Sequence, residues 1–197
     1  MSIMLFFKRY PVSVWPILMA VLVILLTIVG DVAQYNLRLE PQAVLNGEWW
    51  RLFTAHWVHL GWAHTLLNAG GFLLIAWLNP TRSWKFWLAF YTVSSLCISA
   101  VLMFDQTISS YVGASGVLHG LLIIAAFTSQ WLEPWRRYSV LVFISAKLIW
   151  EQSPVYSDQS VGELIGGHVA VNSHLIGGIC GLLVVIFLLY KNTQKPN

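Results

Sequence analysis

One glycine-flanked serine and six histidines are the residues of this chain whose types and spacing point most directly to chemistry. The serine lies in Tyr111-Val-Gly-Ala-Ser-Gly-Val-Leu-His-Gly120, where Gly113 and Gly116 bracket Ser115 as a polar stretch gives way to an apolar run. Glycine permits a sharp turn there, and a helix beginning at that point offers unpaired N–H groups to a developing anion. A serine becomes a useful nucleophile only with a base in hydrogen-bond reach. His174, in Asn172-Ser-His-Leu-Ile-Gly-Gly-Ile-Cys-Gly181, shares a helix face with Gly177 or Gly178 and with Gly181. Small residues let two backbones approach closely enough for a serine–histidine contact, although Gly116 and Gly120 are equally a GxxxG packing pair. His64 and Asn68, four apart, project from one face and could both donate to an oxyanion, or could serve as caps or interhelical bonds. No acidic residue lies inside an apolar run, so a dyad without an acidic third member is expected. The six histidines (His56, His59, His64, His119, His168 and His174) all fall in one long loop or the same-side half of an apolar run, which favours a common polar site over scattered core roles.

The elements that must position these residues are membrane spans. Charged residues make up 10% of the 197, hydrophobic ones 57%, and the mean hydropathy is +0.68. A soluble domain carries roughly 25% charged residues, so a cytosolic enzyme, a secreted disulfide scaffold and a disordered chain are excluded. The net charge of +3 comes from scattered cations, which is no nucleic-acid footprint, and Cys97 and Cys180 sit in apolar runs as small hydrophobes. About 20 apolar residues cross the hydrocarbon core. The pattern predicts an all-α, polytopic bundle, a single domain over 1–197, with spans at about 12–30, 63–79, 86–104, 115–131, 138–151 and 166–190. The first is expected to be a retained helix, and Lys147, interrupting the fifth, to snorkel or pair within the bundle. Six spans put Lys8, Arg9, Arg82, Lys85, Arg136, Arg137, Lys191 and Lys195, eight of eleven cations, on one side; the positive-inside rule makes that side, with both termini, cytoplasmic. Residues 31–62 then form a long external loop, rich in tryptophan (Trp49, Trp50, Trp57, Trp62), expected to lie partly in the interface and pack on the bundle.

Taken in order, Trp50-Arg51 in the loop, His59, His64 and Asn68 entering span two, Gly113-x-Ser115-Gly116, and His174-x-x-Gly177-x-x-x-Gly181 in span six resemble the rhomboid intramembrane serine proteases over about residues 12–190. The string Gly-Ala-Ser-Gly-Val-Leu-His-Gly and the compact six-span form look most like the bacterial rhombosortase branch. The resemblance implies Ser115 as nucleophile and His174 as base. It implies His64 and Asn68, with the Ser115 N–H, as oxyanion donors, and Trp50, Arg51 and His59 as structural supports. His119, one turn below Ser115, would be a packing or substrate-pocket residue; His168 is a second candidate base, and His56 has no assigned counterpart. No cofactor or metal is implied. Partners would be the lipid bilayer and membrane-anchored substrates with a C-terminal transmembrane segment, cleaved near its external end. In the rhombosortase form these carry a C-terminal Gly-Gly motif, and an amine could replace water as acyl acceptor. The location would be a bacterial inner membrane with the site opening to the periplasm. Among rivals, a metalloprotease lacks His-Glu-x-x-His and an aspartyl protease lacks two intramembrane aspartates. A transporter lacks inverted repeats. A non-catalytic relative that binds transmembrane helices would be expected to have lost the serine or the histidine, and both are present.

Overall fold

The structure, a computed structural model, describes residues 13–79 and 82–194. Val12 of the first expected span, and Lys8, Arg9 and Lys195 of the charge argument, lie outside the described residues. The described residues are all-helical: α1 (Val14–Val29), α2 (Asp31–Leu37), α3 (Pro41–Leu45), α4 (Arg51–Thr54), α5 (Trp62–Leu78), α6 (Trp84–Leu102), α7 (Ser115–Thr128), α8 (Pro134–Glu151), α9 (Gln159–Ile165) and α10 (Val171–Thr193). Each expected span overlaps one of these helices, with shifted ends. The fifth starts earlier, at Pro134, whose missing N–H suits a first helical position, and it runs unbroken through Lys147. The sixth starts later, at Val171, because Gly166 adopts the left-handed conformation that closes the short α9 before it and residues 166–170 are not helical.

Among the described residues, two helices are long and apolar enough to cross a membrane, Trp84–Leu102 and Val171–Lys191, and α1 with α2, bent by 112° at Gly30, would make a third, short of the six expected. α5 and α7 are apolar but shorter.

α7 is the centre of the molecule. Val117, Leu121, Ile123, Ile124 and Ala125 are fully buried, and a helix apolar all round belongs inside a bundle. Its fourteen residues span roughly 21 Å at 1.5 Å per residue. α10 packs most intimately against it, through glycines. A Cβ at Gly116 would fall 2.7 Å from the Ser173 carbonyl oxygen, and one at Gly181 2.6 Å from that of Gly120. Cβ atoms at Gly177 and Gly120 would collide with the carbonyls of Gly116 and Gly177 respectively. The small-residue packing face and the approach of serine to histidine are therefore one feature.

The long loop packs onto the segment that leads into α7. Leu39 and Tyr111 exchange backbone hydrogen bonds of 3.0 and 2.9 Å, and the Gly113 N–H reaches the Ala55 carbonyl at 3.0 Å. Arg51, buried, ties the loop to itself: it donates to the Tyr35 and Arg38 carbonyls, both at 2.8 Å, and to Glu48 at 2.6 Å. Trp50 donates to the Asn36 carbonyl. Trp49, Trp50 and Trp62 are exposed.

Candidate functional site

Ser115 is the first residue of α7 and half-buried. The turn before it requires Gly113, whose φ of +119° favours glycine and whose absent Cβ would strike the His64 ring. His174 lies in the first turn of α10, buried, and its Nε2 stands 2.9 Å from Ser115 Oγ. His168 lines the same cavity without meeting the serine: fully exposed, its ring pairs with Asp158 at 3.3 Å, so the second candidate base is not the one in contact with Ser115.

The expectation of a site without an acid is overturned. Glu151, the last residue of α8 and buried, places its carboxylate 3.0 and 3.2 Å from His174 Nδ1. Lys147, one turn earlier, donates to Glu151 Oε1 at 2.5 Å and to His119 Nε2 at 3.0 Å. His119 Nδ1 in turn lies 2.7 Å from the Ser115 carbonyl, and its ring stacks on His174 at 4.3 Å and 28°. Glu151 does not lie inside an apolar run, where an acid would stand out in the sequence; it is the last residue of α8. Of the two expectations for Lys147, snorkelling or pairing within the bundle, the structure shows pairing. Ligand atoms of His119, Glu151 and His174 lie within 4.8 Å of one another, a possible metal trio, but the Lys147 ammonium already bridges Glu151 and His119.

His64 and Asn68 lie buried on α5 beside this centre. The Leu60 N–H points at His64 Nδ1 across 3.4 Å, which leaves Nε2 to carry the ring proton. Asn68 gives one amide hydrogen to the His64 carbonyl at 2.8 Å and keeps a second. His59 accepts from the Ala114 N–H at 3.4 Å and meets His64 edge-on at 4.8 Å, supporting both the turn and the donor. Burial, with His64 nearby, pushes the His59 imidazole down to about 3. His56, whose role the sequence left open, is a buried pin. Its Nε2 contacts the Ser95 carbonyl and Ser99 Oγ, and burial pushes it down to about 4.

Ser115 forms part of the wall of two cavities. One, of about 540 Å³, is lined by polar residues including Arg38, Asp105, His168 and Asn172. The other, of about 200 Å³, runs between α5 and α7 along Leu67, Leu74, Leu118 and Leu122, with Asn68 and His119 at its polar end. A hydroxyl on a histidine, neutral N–H donors alongside, and one wet and one apolar approach suit acyl transfer on a partly apolar chain.

The Rhomboid domain family model matches residues 46–191 of the chain. The Bacillus subtilis (strain 168) protein named "Putative rhomboid protease YdcA" is 24% identical over 174 residues, covering 83% of this chain and 76% of that protein.

Proposed function

Since the chain belongs to the rhomboid family, whose members are integral membrane proteins and generally serine proteases, we propose that it is an intramembrane serine endopeptidase with Ser115 as nucleophile and His174 as base. The observation that carries this is the 2.9 Å contact between Ser115 Oγ and His174 Nε2 at the junction of a polar and an apolar cavity.

In this reading Ser115 Oγ bonds to the carbonyl carbon of a substrate amide while its proton passes to His174 Nε2. The oxyanion takes hydrogen bonds from His64 Nε2, Asn68 Nδ2 and the Ser115 N–H. Collapse expels the amine, which leaves with the proton from His174, and an ester on Ser115 remains. Water then attacks the ester, His174 takes its proton and returns it to the serine, and a carboxylic acid departs. Six spans in one domain, both termini cytoplasmic and a site opening outward to the periplasm of a bacterial inner membrane complete the proposal. Substrates would be membrane-anchored proteins with a C-terminal transmembrane segment. The Gly-Ala-Ser-Gly-Val-Leu-His-Gly string favours a rhombosortase-like preference for C-terminal Gly-Gly tails, in which an amine could replace water in the second step.

The test is labelling of detergent-purified protein with a serine-directed fluorophosphonate. Wild type should label, and Ser115→Ala and His174→Ala should not, while His168→Ala should. A folded wild type that does not label would favour a non-catalytic helix binder instead.

A further inference from the structure

The polar groups around Ser115 form a closed ring that begins and ends on that residue. Ser115 Oγ meets His174 Nε2; His174 Nδ1 meets Glu151; Glu151 meets Lys147; Lys147 meets His119; and His119 Nδ1 meets the Ser115 carbonyl. Their chemistry allows one assignment of protons. An ionised carboxylate only accepts, so His174 Nδ1 carries the hydrogen and Nε2 presents its lone pair to the serine hydroxyl. An ammonium only donates, so His119 Nε2 accepts and its Nδ1–H points at the Ser115 carbonyl. Nothing in the ring is left competing for a role.

We propose that Glu151 is a positioning residue for the base: it holds His174 in the tautomer that can take the proton of Ser115 and faces the imidazolium formed when it does, with Lys147 fixing the carboxylate. This rests on the protease reading above and turns its two-residue centre into a Ser115–His174–Glu151 relay. Lys147 takes the place a cation would need between His119 and Glu151, so the trio serves as a polar brace for the base and not as a metal site. The carboxylate is well placed for the task. It is buried at the end of α8; Oε2 is the oxygen nearer His174 Nδ1, at 3.0 Å against 3.2 Å for Oε1, and Oε1 is the one held by Lys147, at 2.5 Å.

Because only Oε1 touches Lys147 and Oε2 is the nearer to His174, a test follows that a merely structural role would not pass. In Glu151→Gln the amide oxygen stays on the Lys147 ammonium and the NH₂ turns to His174 Nδ1. The ring proton is then driven to Nε2, where it blocks acceptance from Ser115. Loss of a correct tautomer in a serine-protease triad costs about 10⁴ in kcat, so Glu151→Gln should slow fluorophosphonate labelling by about 10³ to 10⁴-fold. Glu151→Ala, which leaves the tautomer free, should be no worse. Lys147→Met in the Glu151→Gln background lets the amide rotate and should recover at least about tenfold. Nitrogen-15 spectra of labelled histidine should show His174 protonated at Nδ1 in wild type and at Nε2 in Glu151→Gln. Thermal unfolding of each variant in detergent identifies folded protein, and Glu151→Asp supplies a conservative variant should Glu151→Ala fail to fold. A folded Glu151→Gln protein that labels within about threefold of wild type overturns the inference and leaves the protease reading intact. So does a Glu151→Ala protein slower than Glu151→Gln, because isosteric replacement sparing function is what a packing role predicts. Wild type that fails to label at Ser115 overturns the protease reading and this inference with it.

Discussion

Gly181→Ala is the perturbation that most directly tests how α7 and α10 build the site. On propensity alone, alanine in a helix interior should gain up to about 1 kcal/mol over glycine. The packing predicts the opposite. The new Cβ would lie 2.6 Å from the Gly120 carbonyl oxygen, with the Gly120 Cα at 2.7 Å, and backbone atoms of a fully packed helix cannot rotate aside. An unstrained contact needs roughly 3.4 Å, so the two helices must part by roughly 0.8 Å. If most of that opening reaches the first turns, the 2.9 Å Ser115–His174 contact stretches to roughly 3.5 Å or more, outside useful hydrogen-bond range. Overpacking of this kind costs about 1–3 kcal/mol, and a misplacement approaching 1 Å can cost about 10²-fold in rate. Gly70→Ala is the control, because nothing lies within 4 Å of a Cβ there; it should be neutral or stabilising. The assay pairs thermal unfolding in detergent with the rate of fluorophosphonate labelling. Gly181→Ala should lower the unfolding temperature and slow labelling between about 10- and 100-fold. A Gly181→Ala protein as stable as Gly70→Ala and labelling at the wild-type rate would refute the argument that glycine contact sets the serine–histidine distance.

Other elements of the structure make further predictions. Arg51→Met removes the donor to two loop carbonyls and leaves Glu48 unpaired; it should cost about 2–4 kcal/mol in detergent unfolding, and a loss under about 0.5 kcal/mol would contradict the loop's dependence on it. His56 and His59 are held neutral in the fold, at about 4 and about 3, while an unfolded histidine titrates near 6.5. The unfolded chain therefore binds more protons between those values, so stability should be intact above pH 6.5 and fall by a few kcal/mol as pH drops towards 4; His56→Asn should blunt that loss. His168→Ala should label within about twofold of wild type, since its exposed ring is committed to Asp158. Lys147→Ala vacates the space between His119 and Glu151, beside His174, and the ligand atoms of the three lie within 4.8 Å of one another; tetrahedral zinc needs separations of roughly 3.3 Å, a modest closure. Labelling of that variant should become sensitive to zinc and be restored by a chelator, with wild type unaffected.

The helical architecture and much of the site's composition are legible in the sequence because the governing signals are local. Apolar runs bounded by charge mark α1, α5, α6, α7, α8 and α10, and Gly113-x-Ser115-Gly116 marks a turn into a helix that only glycine makes easily. The spacing of Gly177 and Gly181 behind His174 is read correctly as close approach, since small residues at i and i+4 leave a groove on one helix face. What the sequence hides are the ends of elements. The sixth apolar run reads from about Gly166, yet its helix begins only at Val171, because Gly166 takes the left-handed backbone that closes the preceding α9. His56 had no legible role since its partners, Ser95 and Ser99, are about forty residues away on another helix.

Glu151 is the instructive omission. An acid inside an apolar run is not the only charge that needs explanation, since Ser115, His174 and Glu151 all lie in the terminal turns of their helices. α8 runs towards the side on which α7 and α10 begin, so its last turn and their first turns meet at one depth. Lys147 and Glu151 are four apart on one face there, and along the eighteen residues of α8 the buried positions are Ile144, Leu148 and Glu151, a single stripe facing the bundle. An acid on the buried stripe of a mostly exposed helix, with a cation one turn before it, has an unfavourable desolvation to offset. A histidine at the same depth is the partner that does so. The pairing of Glu151 with His174 thus follows from topology and burial taken together, and a search confined to motif spacing within one helix does not reach it.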